Sequence, residues 1–350
     1  MHVEHGRFAH AFRRSVPHQP TSGIQRRYNS TRVDSSSNPL SGLWKPTHLQ
    51  RLHYGPDSVK KHLLECLPNE CSKAFVLTGT SLANKTSLIK QVEQQLASRH
   101  AQTFSKIGQH APVKELDEAT ELVMKDETVD TIISVGGGSP IDSAKGMLYA
   151  ATRSLSCLTR DQPSATASTR RSRATTEIPC RQMALASAGE LFANLPAYHK
   201  NPKDEQVITK LQLAAFASLG FLALNFKGGL GLSHTLGYAL GSPFGIPHGI
   251  TSCLTLGHVV KLKAESSEED AAQLARMAPF IGIAKSGDNK EDGIAVGDAI
   301  LTLVRDIGLK TTLTEKGVSR DKLDWIVKTA TRQDNGPVFD KVKQLVEDLY

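Results

Sequence analysis

The chain of 350 residues contains no run of about 18 apolar residues, so no segment reads as a membrane-spanning helix. Cysteine is scarce: Cys66, Cys71, Cys157, Cys180 and Cys253 are scattered, odd in number and without a CxxC pair. That usage argues against a disulfide scaffold and for a reducing compartment. Aromatic residues make up only 5%, and past residue 40 no basic stripe carries aromatics between its charges. The formal net charge is +7, but residues 1–40 hold six arginines and no lysine against Glu4 and Asp34, so over half of the excess sits there. The remainder is nearly neutral, which disfavours nucleic acid and a membrane surface as partners.

Residues 1–44 are rich in Arg and Ser, poor in acids and without apolar periodicity. That composition suits a mitochondrial transit peptide better than a secretory signal, with Arg26-Arg27-Tyr28 as a processing point. A disordered leader with no address fits nearly as well, so the expected location is mitochondrial or cytoplasmic.

With 39% hydrophobic residues, the chain can bury a core of ordinary size, and its length favours two domains. Thr47–Tyr54 alternates and predicts a strand, followed by the turn at Gly55-Pro56 and a helix over Ser58–Leu67. Lys73–Thr78 reads as a buried strand. Leu82–His100 reads as one helix with Leu88, Val92 and Leu96 on a single face. A helix over 114–126 and a strand over 131–135 follow. Strands and helices alternating at this pace predict an α/β domain with a parallel sheet over about 45–150, of the kind that binds nucleotides at the carboxyl ends of its strands. Residues 151–177 carry five arginines and many Ser and Thr with no period of two or 3.6, and read as irregular. From Met183 onward the pattern is helical, over 183–194, 204–226, 229–242, 268–282, 292–307, 320–332 and 339–350, which predicts an all-α C-terminal domain spanning 178–350.

Two motifs carry chemistry. Gly136-Gly137-Gly138-Ser139-Pro140-Ile141-Asp142-Ser143-Ala144-Lys145 follows a buried strand and opens a helix. Three glycines let the backbone approach a pyrophosphate, Pro140 suits the first helical turn, and the free N–H groups with the helix dipole favour an anion. Asp142 and Lys145 lie one turn apart on the same face. A plain strand-to-helix turn is the bland reading, and the spaced GxGxxG fingerprint is absent. The second motif is His234, in a segment rich in small residues, followed by Gly245, Pro247 and His248, which break the helix so that two imidazoles can return to one cleft. Neutral imidazoles suit Fe2+ or Zn2+, but two ligands rarely make a tight site.

Together, GGGSPIDSAK and the Gly-Leu-Ser-His234 and Pro-His248-Gly pattern resemble the signatures of the iron-containing, group III alcohol dehydrogenases and maleylacetate reductases, whose fold is dehydroquinate synthase-like. The resemblance covers 47–150 and 178–350. It implies that Gly136, Gly137, Gly138 and Ser139 hold the pyrophosphate of NAD or NADP, with Asp142 and Lys145 beside it. It implies that His234 and His248 bind a divalent metal, Fe2+ or Zn2+. Many relatives carry a further His one turn after the first, lining the substrate pocket; this chain has Tyr238 there, a hydrogen-bond donor to substrate instead. The implied reaction is hydride transfer between a nicotinamide cofactor and a small alcohol or carbonyl compound, with a homodimer left open.

The family also carries, between these signatures, a Thr-Thr-x-Ser turn and a helix bearing Asp-x-x-x-His that completes the metal shell. Neither is found between Lys145 and His234; Thr175-Thr176 and Ser164–Ser168 are faint echoes. The stretch 151–177 stands in their place, either as unrelated codons introduced by a frame slip or skipped exon, or as a real variant that dispensed with metal. Gln109-His110-Ala-Pro-Val resembles the maleylacetate reductases, some of which are thought to work without metal. Catalysis is therefore expected to be impaired, with a metal-independent reductase or a non-catalytic NAD-binding remnant as alternatives. A lyase of the dehydroquinate synthase type shares the fold but relies on an acidic ligand in the absent part.

Overall fold

The computed structural model describes residues 2–5, 49–109, 111–156, 173–174, 180–220, 226–227 and 231–350. They divide into two compact units, one of 2–5 with 50–156, the other of Leu49 with the described residues from Arg173 to Tyr350.

The first unit is built on strands β1 (His2–His5), β2 (Lys73–Thr78), β3 (His100–Phe104) and β4 (Val129–Val135). Their order is β1-β4-β2-β3, with β2 parallel to both β3 and β4 and β1 antiparallel at the edge. Phe75, Val76, Leu77, Ile132 and Ile133 are fully buried, as expected of strands covered on both faces. The helices of this unit are α1 (Ser58–His62), α2 (Thr80–Lys85), α3 (Leu88–Leu96), α4 (Val113–Lys125) and α5 (Gly138–Ser156). Ile89, Val92 and Leu96 of α3 pack into one cluster with Val76 and Ile133, while Ala119 and Val123 of α4 pack with Phe75 and Ile132 in another.

The first unit departs from the sequence expectations at four places. Of the strand expected over 47–54, the described residues 49–54 are irregular and pair with none of β1 to β4, so their alternation reflects no sheet pairing. That strand, His2–His5, lies inside the leader expected to be disordered; its pairing with β4 is a backbone ladder, which composition does not report. The single helix over Leu82–His100 is broken at Thr86, whose backbone is extended and whose hydroxyl donates to the Leu82 carbonyl at 2.7 Å, and the run ends in the strand β3. Residues 151–156 of the irregular stretch continue α5, in keeping with the helix-favouring Ala151, Arg153 and Leu155. His110, most of 157–177 and Thr175-Thr176 lie outside the described residues.

The second unit is helical: α6 (Gln182–Lys200), α7 (Glu205–Ala215), α8 (Leu232–Phe244), α9 (His248–Ser266), α10 (Glu268–Ala275), α11 (Asn289–Asp306), α12 (Leu323–Thr331) and α13 (Pro337–Glu347). A two-stranded pairing joins Arg173–Ala174 (β5) to Phe226–Lys227 (β6). The expected helix over 204–226 stops earlier, since residues 216–220 widen into a π turn and 226–227 are extended. Asp204, Ser267 and Asp288 cap their helices by accepting from backbone N–H groups of the first turn. The core gathers Leu236, Leu240, Leu254, Ile326, Val342 and Val346. Helices α9 and α11 cross closely because Gly257 and Gly297 face each other: a Cβ on Gly297 would lie 2.9 Å from the Gly257 carbonyl oxygen.

Candidate functional site

The parallel strands β2, β3 and β4 end on the same side, and the loop after β4 opens there. The buried Thr78 hydroxyl at the end of β2 donates to the Val135 carbonyl at 2.8 Å, which fixes the point where β4 stops. Gly136 follows with φ 142°, a left-handed conformation that favours glycine, and a Cβ there would lie 3.1 Å from the Pro140 ring. Gly137 and Gly138 differ from it: a Cβ on either would meet nothing within 4 Å. Packing among the described residues therefore does not require glycine at these two positions, which leaves approach by a ligand as a physical reason for them. Ser139 is half-buried, Pro140 is buried in the first turn of α5, and Asp142 and Lys145 are exposed together on one face. This is a helix N-terminus with an open approach for an anion.

In the helical unit, His234 stands in the first turns of α8 and His248 opens α9. Between them α8 ends at Gly245, φ 66°, and the Ile246 N–H donates back to the Gly241 carbonyl at 3.0 Å. Pro247 then redirects the chain into α9. The turn brings the two imidazoles to 5.0 Å between ring centroids, at an interplanar angle of 66°. Tyr238 joins them, its ring 5.9 Å from His234 and 6.4 Å from His248, and it is 64% exposed. Burial first, and then the neighbouring His248, hold the His234 imidazole below the usual histidine range, so that it stays neutral and keeps a lone pair free to bind. Hydroxyls brace the pair. Thr251 donates to the His248 carbonyl at 2.8 Å, and Ser233 and Thr255 bridge α8 to α9 at 2.8 Å.

Sequence reasoning grouped His234, Tyr238 and His248, and the structure places them side by side. It missed that Pro247 starts a long helix, α9, whose Thr251 and Thr255 support the pair. The signal was the apolar spacing of Ile250, Leu254, Val259 and Leu262, masked by Gly249, Gly257 and β-branched residues of modest helix propensity.

The family model of Fe-containing alcohol dehydrogenases, C-terminal, matches residues 172–348, and that of iron-containing alcohol dehydrogenases matches residues 50–186. The chain belongs to the iron-containing alcohol dehydrogenase family. Among characterised members of this oxidoreductase family, alcohol dehydrogenase 4 of Schizosaccharomyces pombe is 29% identical over 151 residues, which is 41% of this chain and 34% of that protein. Lactaldehyde reductase of Escherichia coli K12 is 29% identical over 103 residues, 29% of this chain and 26% of that protein. The matched region thus spans about a third or less of these relatives' length. The fold is similar to that of an alcohol dehydrogenase from Oenococcus oeni, with a TM-score of 0.68 at 17% identity over 88% of this chain and 100% of that one. It is also similar to a maleylacetate reductase from Agrobacterium tumefaciens, with a TM-score of 0.63 at 18% identity over 89% and 98% of the two chains.

The iron-containing alcohol dehydrogenases generally use NAD(P) and a divalent metal. Here the donor set near His234 falls short: among the described residues no Asp, Glu, Cys or third His joins the pair in a group of three. Two imidazoles alone do not make the three- or four-ligand shell that holds such an ion tightly, so the described residues do not fit a resident metal.

Proposed function

We propose that this family member binds the pyrophosphate of NAD or NADP at the loop from Gly136 to Ser139, and that its hydride transfer between an alcohol and an aldehyde or ketone is impaired. The observation that carries the reading is the contrast between an open glycine loop at a helix N-terminus and an imidazole pair without a third ligand. The backbone N–H groups and helix dipole meet the anionic cofactor, with Asp142 and Lys145 flanking it. Tyr238, one turn after His234, presents its exposed hydroxyl as a donor to a substrate oxygen, which orients the carbonyl but supplies less polarisation than a full charge would. Hydride chemistry belongs to the nicotinamide; the chain's part is positioning.

Fluorescence titration with NADH and NADPH tests the cofactor half of this reading. Saturable binding by one of them supports it, and no binding by either overturns it. A small-molecule alcohol or carbonyl compound is the substrate class that follows, and no described helix is long and apolar enough to cross a membrane.

A further inference from the structure

A second group of metal-binding side chains lies in the α/β unit, outside both sequence motifs. His53, His62 and Glu65 each offer a ligating atom, and the three atoms lie within 4.8 Å of one another. No other group of three or more His, Cys, Asp or Glu does so among the described residues. The turn at Gly55, φ 94°, folds the segment 49–54 back along α1, and the Ser58 hydroxyl and N–H both donate to the Gly55 carbonyl. Arg51 ties the same segment down by donating from Nη1 to the Glu65 carbonyl at 2.9 Å. The His53 and His62 rings come to rest stacked, 4.1 Å between centroids and 17° between planes. His62 Nδ1 is 3.1 Å from Glu65 Oε2, whereas His53 Nε2 is buried with no hydrogen-bond partner. A buried imidazole nitrogen with nothing to bond is unfavourable, and His53 offers one of its two ring nitrogens to the triad.

We propose that His53, His62 and Glu65 form a binding site for a divalent cation of the zinc class. Two imidazoles and one carboxylate are the donors that such ions prefer, while magnesium and calcium favour all-oxygen shells. If His62 ligates through Nδ1, its 3.1 Å separation from Glu65 Oε2 corresponds to an angle of about 95° at an ion bonded at ~2.1 Å. The three ligand atoms lie within 4.8 Å, at most roughly half an ångström beyond two such bonds. Rings stacked nearly parallel do not aim their in-plane lone pairs at one point, however, so His62 must turn out of the stack for the triad to close on an ion. Rotation of the exposed Glu65 and the partly exposed His62 supplies that closure. Water completes the shell, and the bound ion staples the segment before Gly55 to α1.

The test uses the full chain carrying His234→Ala and His248→Ala, so that the imidazole pair contributes nothing. It is titrated with Zn2+ by calorimetry at about pH 7.5, where imidazoles are neutral. The expected result is one saturable Zn2+ site per chain, weakened at least about tenfold by added His62→Ala and by added Glu65→Gln, with unchanged circular dichroism. Absence of saturable binding, or binding undiminished by His62→Ala, overturns the site; equal competition by Mg2+ overturns the metal class. Should the double background fail to fold, the unmodified chain serves: His62→Ala must lower its Zn2+ stoichiometry by one, and an unchanged stoichiometry overturns the proposal.

Discussion

The imidazoles of His234 and His248 meet 5.0 Å apart on consecutive helices because the residue between α8 and α9 at their crossing is Gly237. A Cβ on Gly237 would lie 3.2 Å from the Thr251 hydroxyl and 3.6 Å from His248 Cε1. Any larger side chain must push α9, and His248 with it, away from α8. Gly237→Leu is therefore expected to destabilise the helical unit by about 1–3 kcal/mol, the usual cost of overpacking a filled site. It should also let the His234 pKa rise toward the ordinary histidine value, since the neighbouring His248 is one of the two causes of its depression. Urea denaturation and imidazole NMR titration check both; an unshifted His234 titration would show that the two rings are not held together by this contact.

Gly136 and Gly137 are adjacent in sequence but should respond differently to alanine. At Gly136 the left-handed φ of 142° and the Pro140 ring at 3.1 Å make Gly136→Ala costly to the fold, on the order of 1–3 kcal/mol. At Gly137 nothing among the described residues opposes a Cβ. Gly137→Ala should leave stability within about 0.5 kcal/mol while weakening NADH binding at least about tenfold, because the added methyl occupies the space that a pyrophosphate needs. Equal NADH affinity in Gly137→Ala and the parent would remove this loop from the cofactor site.

The crossing of α9 and α11 offers a purely structural test. Gly257→Ala puts a Cβ 2.6 Å from Leu301 and 3.0 Å from the Gly297 carbonyl oxygen, so the helices must separate. A loss of about 1–3 kcal/mol is expected by urea denaturation, against less than about 0.5 kcal/mol for Glu265→Ala at an exposed position of the same helix. Similar small effects for both would mean that α9 and α11 can separate at this crossing without cost.

Half-buried His258 on α9 links stability to pH. Burial, then the neighbouring Lys261, push its pKa down, while Asp348 and Asp298 oppose them. Because the folded value is depressed, the unfolded chain binds more protons between that value and about 6.5. His258 therefore withdraws stability as pH falls below about 6.5 and withdraws none above it. The drop in urea midpoint between about pH 7.5 and about pH 5.5 should shrink in His258→Gln. An identical drop in both proteins would assign the acid sensitivity elsewhere.

How much of this was readable from the sequence depends on which interaction fixes each feature. The glycine loop and the His234–His248 pair were visible because local chemistry suggests them, glycines after a buried strand and a Gly-x-Pro break between two histidines, whereas Tyr238 was singled out by the family resemblance alone. Strand β3 was not, since His100–Phe104 has one buried apolar residue and becomes a strand only by pairing with β2. The edge strand β1 was hidden for the same reason, and α9 because its small and β-branched residues obscure its period. His53, His62 and Glu65 are brought together by the turn at Gly55 and by the irregular course of residues 49–54, where periodicity suggested a strand.

Cofactor binding is expected to outlast metal-assisted catalysis in this chain. This is tested most directly by measuring NADH binding and alcohol-dependent NAD(P) reduction on the same preparation, with and without added Fe2+ or Zn2+. The expected result is saturable NADH binding with little or no turnover, and no strong stimulation by either metal, because His234 and His248 lack a third ligand among the described residues. Robust turnover that depends on added metal would contradict it.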